Sequence, residues 1–370
     1  MDIKAAVEMI PPFGRRVEVA RERMAAVWEH REPDYLPLII PGEVSEELRE
    51  QFPRFDLQEA YYDPEKMLFN QLPSVLASAY SPGDNIPSVR ADLGVGIFPT
   101  LLGAVNSVFP DIRPWITGHV SKQELSRMTP DDINPYKGEF ARGLEYMKYF
   151  KELLVGRAYV YVMDVQGPID TAHQVLGDDF FTELYDDPPF VHHLLELSTQ
   201  ALIKGIKACK AVIGEPLNQA YHYNSTFVSR GGIKSSEDTP TLLSADHLDA
   251  YFAPYTRRLL AEFGGGYIHF CGSNPHLYER CINMPECVGI NLGNPERYDV
   301  AILLANCHKR QQVFNGVLKY PNTYDAATYY RKIWQDLGQV KKRLLLHAPS
   351  TKSPATVVEL WHQIQNQAVS

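Results

Sequence analysis

The chain has 370 residues, 45% of them apolar and 22% charged, and a formal net charge of −9, a composition that buries a large core and excludes a disordered polypeptide. No Lys/Arg block occurs, so the footprint of a nucleic-acid binder is missing. No apolar run approaches the roughly 20 residues of a membrane helix, the start MDIKAAVEMIPPFGRR lacks a signal peptide's basic and apolar regions, and five sparse cysteines make no disulfide framework.

These features lead us to expect a cytoplasmic protein with reduced thiols and a small-molecule substrate. Residues 15–30, RRVEVARERMAAVWEH, carry the apolar spacing of an amphipathic helix that REPD then ends. They belong to an N-terminal helical extension over 1–33 of a single domain, 1–370. YLPLII at 35–40 is the first strand candidate. Further apolar runs closed by Gly, Pro, Asn or Asp follow at GVGIF near 96, AYVYVMD near 161, NQAYHYN near 221, GYIHF near 268, CVGINLG near 290, QQVFNG near 314 and RLLLHAP near 346. Longer helical stretches separate them. His173 and the pair His192 and His193 fall in such stretches, and YFAPYTRRLLAEF lines its apolar residues along one helical face. Buried-type strands alternating with helices predict an α/β protein, and this number fits a (β/α)8 TIM barrel.

In such a barrel chemistry sits where the strands end. The polar residues there are Asp164 and Gln166 after the third strand, His222 and Asn224 after the fourth, His269 and Cys271 after the fifth, Asn291 and Asn294 after the sixth, Asn315 after the seventh and His347 after the eighth. His269 and Cys271 stand in i, i+2 relation, so one strand face presents both. Imidazole and thiolate are zinc donors, and His347 is the candidate third ligand, leaving a position open for substrate. The same spacing also suits a packed core His and a small apolar Cys. Cys281 and Cys287 are alternative ligands whose placement favours packing, and Glu286, Asn294 or water are candidates for a fourth position. Asp164 is a candidate acid, base or acceptor, or a cap for the helix after it. Glu237 and Asp238 stand in a polar loop where carboxylates are usually solvated, yet close enough in sequence to the fourth strand to line a pocket. GxGxxG, Walker, GxSxG and HExxH motifs are absent.

The segments RERMAAVWEHREPDYLPL, VQGPIDTAHQVLG, SEDTPTLLSADHLDAYFAPYTRRL and HFCG, with a later NG at 315 and 316, resemble the uroporphyrinogen decarboxylase superfamily. Within it the chain looks like the corrinoid-linked (methylcobamide, cobalamin-type) zinc methyltransferase branch. The resemblance implies a TIM barrel and an H-x-C zinc pair at His269 and Cys271. The family's late Gly-Cys-Asp falls here on LHAPSTKSP and offers His347 instead. It further implies zinc as cofactor, and a corrinoid as co-substrate or on a partner protein. The expected function is a methyltransferase moving a methyl group between that corrinoid and a small thiol, ether or amine. Asp164 and Asp238 would act in catalysis, and Gln166, His222, Asn224, Asn294 and Asn315 would hold substrate. The alternatives are a metal-free decarboxylase, for which the superfamily's N-terminal arginine motif is missing, and a non-catalytic corrinoid- or small-molecule-binding barrel.

Overall fold

The computed structural model describes residues 1–222 and 225–367. Parallel strands lie at β1 (Leu38–Ile39), β2 (Ser88–Val89), β3 (Tyr159–Val160), β4 (Ile233–Ser236), β5 (Gly266–Phe270), β6 (Cys287–Leu292), β7 (Val313–Gly316) and β8 (Leu344–His347). Six of them form one sheet in the order β1-β8-β7-β6-β5-β4. β2 pairs with β3, and Gln166, just past β3, bridges Ser236 of β4. Helices between the strands cover the sheet, so β6 and β8 are buried almost throughout, as sheets flanked on both faces require.

Among the described residues no ladder joins β1 to β2. The backbone groups that such a ladder would satisfy find other partners instead. Leu38 N–H donates to Asp84 Oδ2 at 2.9 Å and Ile40 N–H to Asn85 Oδ1 at 2.6 Å. Burying Asp84 demands a cation, which Arg23 supplies at 3.0 Å while also holding Asp34 at 2.7 Å. The helix Arg15–Trp28 thereby fixes the start of the sheet, and Trp28 at its end donates from Nε1 to Phe227 O at 3.0 Å. Gly289 of β6 passes so close to that indole that a Cβ would fall 2.8 Å from it.

Two strand expectations are corrected. GVGIF forms turns leading into a 3₁₀ helix at Pro99–Leu102, and the second strand is Ser88–Val89. NQAYHYN contains a strand, Ala220–His222, but it folds back antiparallel on Thr226–Val228 as a hairpin. The fourth parallel strand is the more polar IKSS at 233–236. The GSNP break after β5 starts a helix, Pro275–Asn283, through the Asn274 side chain, which accepts from the N–H groups of His276 and Leu277, with proline in the first turn. One continuous hydrophobic core runs from Ile3 to Ile364. No helix among the described residues is long and apolar enough to cross a membrane.

Asp84→Ala strips Arg23 of a buried partner and leaves Leu38 N–H unpaired. A stability loss of about 2–4 kcal/mol is expected in urea unfolding, with an unchanged m-value.

Candidate metal and active site

At the ends of β4 and β5, Asp238, His269 and Cys271 bring a carboxylate oxygen, a ring nitrogen and a thiol sulfur within 4.8 Å of one another. The ladder does this: β5 runs beside β4 with Ser236 opposite His269, so the loop just past β4 meets the loop just past β5. Asp238 Oδ1 accepts from Cys271 N–H at 2.5 Å, and Cys271 Sγ lies 3.5 Å from His269 Nε2. Gly293 makes room for the thiol, since a Cβ there would stand 2.5 Å from Sγ.

The orientation of the His269 ring follows from its far side. Nδ1 lies 2.5 Å from Asn291 Oδ1. Asn291 Nδ2 donates to the Asn315 carbonyl, which commits Oδ1 to accepting. The proton therefore sits on His269 Nδ1, and the Nε2 lone pair faces Cys271. An outer partner of this kind is what a ligating imidazole requires. Burial lowers the His269 pKa and keeps the ring neutral, as ligation needs. Burial and the neighbouring Asp238 push the Cys271 thiol up. Imidazole, thiol and carboxylate are together a zinc donor set.

His347, expected as a third ligand, stands outside this group. Its Nε2 donates to Asn315 Oδ1 at 2.7 Å, so it is tied to His269 through two asparagines. Burial lowers its pKa to about 4. Asp164 is not free to act as an acid: Arg90 pairs with it at 3.0 Å and with Asp92 at 2.9 Å. Burial pushes Asp164 up, but Arg90, Lys234 and His222 outweigh that and bring it down to about 2. Gln166 donates to Asp164 at 3.3 Å. His222 takes Tyr267 Oη at 2.9 Å on Nδ1, and burial keeps it neutral. Asn294 accepts from Gly272 N–H at 2.8 Å, tying the loop after β6 to the loop after β5. Asn224 lies outside the described residues. Cys281 and Cys287 are buried, and Glu286 pairs with Arg257 at 2.9 Å.

Several residues of the site carried no signal of their own in the sequence. Arg90 fixes Asp164, and Lys234 projects from β4 beneath the metal-type donors. Glu237, for which the sequence left a solvated loop position and a pocket-lining one both open, is fully buried. Its Oε1 accepts from Ser235 and Thr256 at 2.7 and 3.0 Å, while Oε2 has no partner. Asp170 is likewise buried with Oδ2 unpaired. Burial raises both carboxyls, Asp170 to about 7, Asp170 raises Glu237 further, and Asp238 adds to both. Beside the site, a cavity of about 830 Å³ opens between β1, β2, β3 and β8, with Arg90, Tyr161, Asn85 and His347 in its wall.

Asn291→Ala frees the His269 ring, and a metal affinity about 10–100-fold weaker is expected in chelator competition. Cys271 is exposed and the other four cysteines are buried. Native, metal-stripped protein should therefore alkylate at Cys271 first, at a rate that still climbs above neutral pH because the thiol is raised. Peptide mapping after iodoacetamide treatment checks this.

No family model matches the chain, and no curated protein does. Among solved structures, the fold resembles a methyltransferase from Methanosarcina mazei, with a TM-score of 0.66 and 14% identity over 95% of this chain and 99% of that one. At that identity the likeness is one of fold.

Proposed function

We propose that the protein is a zinc-dependent methyltransferase on a (β/α)8-barrel frame, moving a methyl group between a corrinoid, free or carried by a partner protein, and a small thiol, ether or amine. The observation that carries the reading is the convergence of Asp238, His269 and Cys271, with the His269 Nε2 lone pair turned toward Cys271 by Asn291. The fold shared with a methyltransferase supports it, as does the sequence resemblance.

When bound, the metal supplies Lewis acidity that makes a coordinated heteroatom reactive at neutral pH. His269, Cys271 and Asp238 would hold it, and three protein donors leave one position for substrate. The asparagine pair keeps the His269 ring from turning. Arg90 holds Asp164 ionised, a fixed negative charge that orients substrate but does not deliver protons. The neighbouring cavity has room for a ligand larger than a methylated thiol or ether.

Protein purified without added zinc is expected to hold about one zinc per chain, and His269→Ala, Cys271→Ala and Asp238→Ala to hold little. Carefully handled wild-type protein without metal would sink the reading. Because the Cys271 thiol is raised, binding must expel its proton. Metal affinity should thus rise with pH through neutrality, by about tenfold per unit.

A further inference from the structure

The β4–β5 register sets Lys234 opposite Tyr267 and Ser236 opposite His269. Alternate residues of a strand share a face, so Lys234 stands on the face of His269, one rung deeper. The side chain is half-buried, yet it makes no hydrogen bond or salt bridge with any described residue. Lysines are seldom buried without a partner. The nearby anions are already engaged. Asp164 is held by Arg90, and Asp238 Oδ1 by Cys271 N–H.

The charges that reach Lys234 define what the pocket accepts. Burial lowers its pKa and Arg90 adds to that, while Asp164, Asp238 and Cys271 oppose it. His222 and His269 also feel its charge, and both are kept neutral. With Asp164 paired to Arg90 and Asp238 and Cys271 committed to a metal ion, Lys234 is left as a cation without a partner among the described residues. An incoming ammonium meets that cation. An incoming thiolate or oxyanion meets an unpaired ammonium donor.

We infer that Lys234 is a specificity-determining residue that makes this site select a reacting atom which is anionic when free of its methyl group, a thiolate sulfur or a phenolate-type oxygen, and reject amines. The inference rests on the methyltransferase reading and narrows its three substrate classes to two. Lys234 acts by its charge alone, and no proton transfer is assigned to it.

The test uses the full-length, zinc-loaded protein with 4-nitrothiophenol and 4-nitrophenol, whose absorbance reports the ionisation of the bound probe directly, and benzylamine as competitor. Wild-type protein is expected to bind one or both probes as anions, with an ionisation midpoint about one pH unit or more below that of the free probe. Lys234→Met should return the midpoint upward by about one unit, Lys234→Arg should keep it low, and benzylamine should not compete. The probe that binds tells sulfur from oxygen. Equal midpoints in wild type and Lys234→Met, or competition by benzylamine, overturns the inference, as does neither probe binding the wild type. Zinc content is measured on the same samples. Lys234-dependent anion binding by wild-type protein that retains no zinc would uphold the selection and remove the methyltransferase reading instead.

Discussion

The site depends on a side-chain amide that is held at both ends. Asn291 donates to the Asn315 carbonyl and therefore has only its oxygen to offer His269. That decides which ring nitrogen carries the proton and which lone pair faces Cys271. The Asn315 side chain continues the line by accepting from His347, so residues from three successive strands, β6, β7 and β8, bear on the ring of a fourth, β5. Without the chain of amides the imidazole could flip, and an H-x-C pair would be two adjacent side chains rather than two aligned donors.

Buried charge is distributed unevenly around this centre. Where ions serve architecture they are paired. Arg23 meets Asp84 beneath the start of the sheet, and Lys210 meets Glu215 at 2.5 Å in a fully buried bridge. Around the donor group Arg90 still pairs with Asp164, but other buried groups are less fully met. Among the described residues, Glu237 and Asp170 each keep one buried oxygen unsatisfied, and Lys234 has no hydrogen-bond or ion-pair partner. Such groups oppose folding and persist where the surrounding structure over-determines them.

The cavity and the donor group divide that end of the sheet. The cavity wall comes from β1, β2, β3 and β8 and includes His347 and Arg90, whereas the donors come from β4 and β5. His347 is linked to His269 through Asn315 and Asn291, and Arg90 borders the cavity while pairing with Asp164.

The sequence by itself determined the later strands and the H-x-C pair. GYIHF, CVGINLG, QQVFNG and RLLLHAP are contiguous apolar runs closed by turn residues, and burial on both faces leaves that mark on local composition. Only the tertiary structure decided the rest. Strands as short as Ser88–Val89, or as polar as IKSS, carry no pattern that separates them from loops, and the NQAYHYN run could not announce an antiparallel partner. Asp238 meets His269 and Cys271 through the pairing of β4 with β5, not through any spacing to His269. His347 was displaced from the donor group by two asparagines on intervening strands. Register and strand order are relations between distant segments, and a single segment holds no record of them.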